Sequence, residues 1–248
     1  MKNPIIGISC HLKLNEEDWF KNYQTNYVGR PEVESIIKAN GTPIMLPMTN
    51  DINLIKNYLD IIDGLVIIGG EDINPSYYNE DLDKLSGVIV EERDKFEELL
   101  IKEAFNRKIP MLLICRGMQM INALYGGTLY QDLSLNKDYY LEHQAWNKSY
   151  RHVHQIAITK EDSFMFDIYK KNNFYVNSLH HQAIKNVSPL FDVTAISKDG
   201  VIEAIELKDK SFFCLAVQYH PEISSYYYDD YHKLMFNYFI NYINNHQK

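Results

Sequence analysis

The chain of 248 residues is 46% hydrophobic and carries 25 basic against 33 acidic residues, for a net charge of −8. This length is enough for one sizeable core, which predicts a single domain over residues 1–248. An acidic chain without a basic stripe is a poor match for nucleic acid or for an anionic membrane surface. We therefore expect a small molecule as partner, with self-association into a homo-oligomer also open.

The cellular compartment is predicted from the apolar segments and the cysteines. The sequence shows neither the apolar core and cleavage site of a signal peptide nor an uncharged apolar window long enough to span a bilayer. Cys10, Cys115 and Cys214 are odd in number and far apart, which favours free thiols in a reducing compartment. We therefore expect a cytoplasmic protein.

Short apolar runs alternate with amphipathic stretches through the first half of the chain. The pattern predicts strands at 4–10, 42–47, 61–70 and 110–115, and helices at 31–41, 51–59, 91–108 and 118–126. Asp51 is a plausible helix cap, and Pro31 stands where a helix tolerates proline. Nearly uninterrupted apolar strands that alternate with helices are typical of a parallel sheet covered on both faces.

The second half of the chain is rich in β-type runs. HVHQIAIT, FDVTAIS and VIEAIEL follow residue 150 and are separated by turn signals such as Lys198-Asp199-Gly200. A last helix is predicted over about 229–245. The predicted fold class is therefore α/β, a three-layer sandwich with a mostly parallel central sheet and a β-rich C-terminal half.

The strongest chemical signal is the corner in PMLLICRGMQ, where an apolar run stops at Cys115 and a helical pattern follows Gly117. Strand, nucleophile and helix in this order are typical of a nucleophile elbow, which exposes one side chain above the carboxyl ends of the strands. The positive end of the helix favours a thiolate there. The alternative is a core cysteine, which is how we interpret Cys10 and Cys214.

AVQYHPEIS, near the end of the chain, offers a base for this thiol. His220 follows an apolar strand, and Glu222 comes two residues later, after a rigid turn at Pro221. A histidine at a strand end would project over the same sheet edge, and the carboxylate would accept its second ring N–H. Taken alone, a His-Pro-Glu triplet is more often a surface turn.

Several motifs together identify a family. CRGMQ, GGTLYQD and QYHPE resemble the class I glutamine amidotransferase superfamily, whose fold is flavodoxin-like. GGEDINPSYY, NSLHHQAI and DGVIEAIE are similar to its gamma-glutamyl-gamma-aminobutyrate hydrolase branch, whose members cleave gamma-glutamyl amides. These motifs span about residues 9 to 222. The resemblance implies a cysteine-dependent hydrolase of polyamine or amine catabolism that needs no cofactor.

The resemblance also implies a role for each matching residue. Cys115 matches the nucleophile, His220 the general base and acid, and Glu222 the carboxylate that orients the histidine. The backbone N–H groups of Gly70 and Arg116 match the oxyanion hole. The residues that match the substrate-binding positions are Gln119, Asn177, Ser178, His180 and His181.

Other features leave alternatives open. His152 and His154, with His180 and His181, could offer metal ligands because alternate strand residues share a face. No Cys, Asp or Glu at ligand spacing completes that set, so no metal is predicted. Arg93-Asp94 is either an ion pair on a solvated helix face or, as the resemblance implies, a structural or pocket-rim pair.

Two further functions are weighed against the hydrolase. One is a glutaminase subunit that passes ammonia to a separate synthetase. The other is a non-catalytic binding protein, which the intact set of Cys115, His220 and Glu222 argues against. The chain departs from the family at Leu113, where a glycine is usual, so we expect a more crowded elbow.

Overall fold

The computed structural model describes residues 3–14, 21, 23–148, 151–228 and 230–246. Within these residues the central layer is a mixed sheet of nine strands. In spatial order the strands are β4 (Thr42–Met45), β1 (Ile5–Ile8), β5 (Gly64–Ile67), β6 (Met111–Ile114), β13 (Cys214–Val217), β12 (Ile202–Leu207), β11 (Phe191–Ser197), β8 (His154–Ile158) and β9 (Asn173–Val176). Outside it, β2 (His11–Leu14) pairs with β3 (Gln24–Tyr27), and β7 (Thr128–Tyr130) pairs with β10 (Ala183–Asn186).

The sheet has a parallel half and an antiparallel half. From β4 to β13 each neighbouring pair is parallel, and from β13 to β9 each pair is antiparallel. Counted along the chain, the parallel strands follow the order 2-1-3-4-5 of flavodoxin-like sheets. The predicted α/β fold is confirmed, and the β-rich second half continues the same sheet.

Helices cover both faces of the sheet. The helices are α1 (Arg30–Lys38), α2 (Ile52–Ile61), α3 (Glu91–Asn106), α4 (Arg116–Leu124), α5 (Phe164–Tyr169), α6 (Pro221–Tyr227) and α7 (Lys233–His246). Apolar residues of α1, α5 and α7 form one core with the sheet, and those of α2, α3 and α4 form the other. Leu112 and Ile114 of β6 face the first core and Met111 and Leu113 the second, which explains the unbroken apolar run.

Most predicted elements are present with shifted ends. α4 begins at Arg116, directly after Cys115, and α2 continues to Ile61, so the following strand begins only at Gly64. The side chain of Asp51 caps α2, as predicted. The sequence pattern does not predict α5 and α6, because six and seven residues are too few to show a helical period.

The predicted last helix and the two predicted core cysteines are present in the structure. α7 begins at Lys233 after a 3-10 turn, and residue 229, where the prediction began, lies outside the described residues. Cys10 and Cys214 are buried free thiols, as predicted, and burial raises the pKa of Cys10 to about 11. No helix within the described ranges is both long and apolar enough to cross a membrane.

Candidate active site

Cys115 occupies the corner between β6 and α4. Its φ of 50° and ψ of −102° lie where residues with side chains rarely occur, as a nucleophile elbow requires. Gly117 lets the helix begin so close to the sheet, because a Cβ there would lie 2.8 Å from the carbonyl oxygen of Ile67. Leu113 is wholly buried in β6, and the elbow forms with this residue in place.

His220 and Cys115 meet at the ends of neighbouring parallel strands. Both side chains lie beside Gly69. A Cβ atom added to this glycine would lie 2.5 Å from Cε1 of His220 and 3.4 Å from Cβ of Cys115. Nδ1 of His220 lies 2.6 Å from Oε1 of Glu222. Because the carboxylate accepts the Nδ1 proton, Nε2 is the nitrogen left for the thiol.

The charges around His220 favour its protonated form. Burial alone would lower the pKa of His220, but the charges of Glu222 and Cys115, with hydrogen bonds to both, raise it well above its usual value. The arrangement therefore places a positively charged imidazole beside the sulfur of Cys115.

Asn177 holds the backbone of His220. Its Oδ1 accepts the N–H of His220 at 2.8 Å, and its Nδ2 donates to the His220 carbonyl at 2.8 Å and to Oγ of Ser224 at 3.0 Å. The side chain is wholly buried. This placement does not support the predicted contact with substrate and instead lets Asn177 hold the backbone of His220.

Gly70 and Arg116 flank Cys115 at the ends of neighbouring strands β5 and β6. Gly70 has a φ of +143°, and a Cβ on it would collide with Nη1 of Arg93, so only glycine fits. The N–H of Arg116 is the first of α4 and has no acceptor within the helix. Two backbone donors at this edge are what an oxyanion hole needs.

A buried network of charges lies behind these donors. Nη2 of Arg93 donates to the carbonyl of Gly69 at 2.7 Å, and its Nε to Glu97 at 2.9 Å. The guanidinium of Arg116 pairs with Asp94 at 2.5 Å and also with Glu97. Arg93 and Asp94 are 0% and 1% exposed. The interpretation of these residues as an ion pair on a solvated helix face is therefore wrong, and their burial fits a structural role.

A cavity of about 170 Å³ opens beside Cys115. Its wall includes Gln119, Trp146, His180 and His181. A larger cleft of about 430 Å³ lies elsewhere, against residues that include Asn74 and Glu98, and it does not include the nucleophile. We therefore take the smaller cavity as the candidate site, because Cys115 lines it and does not line the larger cleft.

Gln119 lines the cavity, and its role in holding substrate stays a prediction. Its Nε2 donates to the carbonyl of Gln182 and to Oε1 of Gln218, both at 3.2 Å. Gln218 in turn places its Nε2 3.5 Å from the sulfur of Cys115. The sequence interpretation missed Gln218, although the residue lies inside the QYHPE motif.

His181 is a positive group in the cavity wall. Its Nε2 lies 2.8 Å from Asp72 and its Nδ1 3.0 Å from Asp132. The hydrogen bond to Asp72 is the largest cause that raises the pKa of His181 to about 9, against the opposing effect of burial. His181 is one cation between the two carboxylates of Asp72 and Asp132, so the three groups together carry a net negative charge.

Ser178 lies behind the cavity wall, in a cluster of histidines. Its Oγ is 3.2 Å from Nδ1 of His143 and 3.1 Å from Nε2 of His180, and the residue is wholly buried, which does not support its predicted contact with substrate. His154 and Glu203 complete the cluster. Burial lowers the pKa of His154 to about 4 and raises that of Glu203 well above its usual value.

The proposed histidine pairs separate in the fold. His152 stacks on Tyr175, and His181 faces the cavity, whereas His154 and His180 lie together. The expectation that no acidic residue completes this set is wrong, because β12 brings Glu203 to it. Sequence spacing alone gave no sign of this, since the residue comes from a strand that is distant along the chain.

Glu32 is a further residue that the sequence analysis missed. Removal from solvent is the largest cause that raises the pKa of Glu32 to about 7, and the charge of Glu222 adds to it. Oε2 of Glu32 and Oε2 of Glu222 both lack a hydrogen-bond partner among the described residues. A second carboxyl group therefore stands close enough to Glu222 and His220 to respond to their charges.

Comparison with known proteins assigns the family. Residues 4–222 match the Peptidase C26 family. The chain belongs to the Peptidase C26 family. Protein NtpR of Enterococcus hirae is 35% identical over 222 residues, 89% of this chain and 92% of that protein. The gamma-glutamyl-gamma-aminobutyrate hydrolase PuuD of Escherichia coli K12 is 32% identical over 233 residues, 91% of this chain and 88% of that protein.

Among solved structures, the glutaminase domain of Trypanosoma brucei CTPS with bound acivicin has a TM-score of 0.62 at 15% identity. The match covers 98% of this chain and 94% of that one. At this identity the likeness concerns the fold alone. The Peptidase C26 relatives include named hydrolases, so the chain is a member of a glutamine amidotransferase-like hydrolase family.

Proposed function

We propose that this Peptidase C26 protein hydrolyses the gamma-glutamyl amide bond of a small gamma-glutamyl compound through Cys115, His220 and Glu222. The observation that carries the proposal is the elbow conformation of Cys115, with His220 at the same point and the 2.6 Å hydrogen bond from His220 to Glu222. The hydrolase relatives at about a third identity support the substrate class.

The proposed reaction has two steps. The thiolate of Cys115 attacks the gamma-carbonyl, and the N–H groups of Gly70 and Arg116 stabilise the tetrahedral oxyanion. Nε2 of His220 then gives its proton to the leaving amine, which departs and leaves a glutamyl thioester. His220 next removes a proton from water, the hydroxide attacks the thioester, and glutamate is released with the thiol restored.

The test compares Cys115→Ala with the unchanged protein on a panel of gamma-glutamyl amides, including gamma-glutamyl-gamma-aminobutyrate. Glutamate release should fall by about 10⁴-fold or more, because the nucleophile is lost. Cys214→Ala is the matched control, since Cys214 is a buried thiol in β13, and it should keep most of the activity. Undiminished release by the Cys115 variant would refute the proposal.

The substrate and the need for a partner separate this proposal from the glutaminase alternative, because both reactions would pass through the same glutamyl thioester on Cys115. Quenched reactions should show the mass of one glutamyl group on the peptide that contains Cys115. A hydrolase should act alone and release the amine of each good substrate. Turnover of glutamine only after addition of a synthetase would instead identify a glutaminase subunit.

A further inference from the structure

Four buried side chains converge behind the cavity wall, and we name His143, His154, His180 and Glu203 the histidine–glutamate cluster. The three histidines are 3–4% exposed and Glu203 is 0% exposed. They come from four separate segments, since His154 begins β8, Glu203 lies in β12, and the other two lie in loops. None of them belongs to the proposed triad.

The ligand-type atoms of His143, His180 and Glu203 lie within 4.8 Å of one another. Oε1 of Glu203 lies 3.9 Å from Nδ1 of His143 and 3.9 Å from Nε2 of His180, and it also contacts Nε2 of His154 at 3.4 Å. In a tetrahedral zinc site with bonds of about 2.0–2.1 Å, neighbouring ligand atoms are about 3.3 Å apart. The carboxylate of Glu203 would therefore need to approach the nitrogens of His143 and His180 by only about half an ångström.

In His143 and His180, the ring nitrogen that points away from Glu203 (the outer nitrogen) is hydrogen-bonded to an acceptor, as is usual for histidines that bind a metal. Nε2 of His143 lies 3.2 Å from Oδ2 of Asp199, and Nδ1 of His180 lies 2.9 Å from the carbonyl of Gln182. Both partners are acceptors, so each outer nitrogen carries the proton. The inner nitrogens then present lone pairs to the centre, as in the carboxylate–histidine–zinc arrangement.

The centre of the cluster lacks positive charge. Oγ of Ser178 lies between the two inner nitrogens at 3.2 and 3.1 Å, but a hydroxyl has one hydrogen and can satisfy only one of them. Both carboxylate oxygens of Glu203 and both ring nitrogens of His154 lack a hydrogen-bond partner among the described residues. Buried lone pairs without a donor are costly unless a cation neutralises them.

We infer that the histidine–glutamate cluster is a binding site for a first-row divalent cation, with zinc as the ion that its ligands fit. Nδ1 of His143, Nε2 of His180 and the carboxylate of Glu203 are the three ligands, and His154 contacts the carboxylate from outside this group. Imidazole and carboxylate together suit zinc, and three protein ligands leave the fourth position of its tetrahedron open.

Such a site would stabilise one wall of the cavity. The N–H of His180 donates to the carbonyl of His143 at 2.8 Å, and that of Ala145 to the carbonyl of Ser178 at 3.0 Å, so the two loops already pair. Trp146 and His180 of these loops line the cavity. A bound ion would lock this pairing from behind, away from the reacting sulfur.

The direct test measures metal in untagged protein from cells grown with added zinc. Inductively coupled plasma mass spectrometry should find about one zinc per chain. Metal-free protein titrated with zinc chloride should gain roughly 5 °C in Tm once free zinc exceeds the Kd about 100-fold. Protein that contains no metal and whose Tm does not respond to zinc would overturn the inference. Neither measurement needs substrate, so the result is independent of the proposed reaction.

Variants locate the ion. Glu203→Gln and His143→Gln should lose the zinc and the zinc-dependent rise in Tm. His152→Gln, a histidine two residues from His154 but outside the cluster, should retain both. Cys115→Ala should retain both as well, which separates this site from zinc on the catalytic thiol. Stoichiometric zinc in Glu203→Gln, or loss of zinc in Cys115→Ala, would refute the assignment. If a variant fails to fold, the zinc titration of the unchanged protein still tests the site.

Discussion

At the scale of single residues, we propose that Asn177 positions His220 without contact with substrate. It binds both the N–H and the carbonyl of His220 at 2.8 Å. Asn177→Ala should lower kcat by about 10²-fold, because a small displacement of the base costs that much, and should leave KM nearly unchanged. Steady-state kinetics on the best gamma-glutamyl substrate would measure both constants.

Asn173 provides the matched control, because this asparagine at the start of the preceding strand β9 is exposed and its side chain bonds only to Gln155 among the contacts described. Asn173→Ala should retain normal kinetics. If Asn177→Ala instead raised KM at constant kcat, the residue would contact substrate after all.

His181 and Asp72 allow a direct test of charge in the cavity. The pKa of His181 is raised to about 9, chiefly by the hydrogen bond to Asp72. Asp72→Asn should lower this pKa towards the usual 6.5, because the amide cannot stabilise the imidazolium as a carboxylate does. NMR titration of the ring nitrogens would follow the change. Asp81→Asn, on the same loop, should leave the pKa of His181 near 9, and equal titration curves for both variants would contradict this account.

At the scale of elements, α3 is fixed to the nucleophile helix α4 by buried charge. Glu97 pairs with both Arg93 and Arg116, and all three are at most 1% exposed. Glu97→Gln should lower the free energy of unfolding by about 3–5 kcal/mol, because two buried cations lose a partner. Urea unfolding would measure it. Arg107→Gln is the control, since Arg107 pairs near the surface, and its loss should cost about 0–1 kcal/mol. Equal losses would contradict the burial argument.

The elements of the parallel half could be predicted because each carries its own local signal. Apolar runs bounded by glycine or proline locate β5 and β6, and a capping aspartate locates α2. The exact start of α4 could not be predicted, because the strained φ of Cys115 is imposed by the packing of Gly117 on Ile67 and not by local preference. Short helices such as α5 depend on tertiary contacts for the same reason.

At the scale of the whole molecule, sheet order decides which parts of the site the sequence reveals. Gly70, Cys115 and His220 follow β5, β6 and β13, which are neighbours, so their strand-end positions agree with the meeting that the family resemblance implied. Glu203 and His143 meet across the antiparallel extension and a loop, and although Glu203 lies inside the DGVIEAIE motif, nothing in that motif indicates a histidine partner. Their convergence depends on how β12 is placed beside β13, which no local pattern in the chain encodes.

The stability of the whole molecule should depend on pH through Glu32. Its pKa rises from 4.5 to about 7 on folding, mainly because it leaves solvent. Between pH 4.5 and about 7, Glu32 is deprotonated in the unfolded chain but keeps its proton in the folded protein. The free energy of unfolding therefore falls as the pH rises through this range, by up to roughly 3 kcal/mol, and stays lower above pH 7. Glu32→Gln keeps the shape and removes this titration. The variant should match the unchanged protein near pH 4.5 and be more stable at pH 8, as measured by urea unfolding at both pH values.

Glu34→Gln separates this effect from any change of charge on α1. Glu34 lies on the same helix and pairs with Arg30 at 3.3 Å on the surface, so its substitution should not produce a stability gain that grows with pH. Other buried carboxyl groups, such as Glu206, titrate in both proteins and cancel in the difference. A gain for Glu32→Gln that is equal at both pH values would show that packing, and not the proton on Glu32, is responsible. A gain confined to high pH would instead identify Glu32 as a carboxyl group that remains protonated beside the triad until about pH 7.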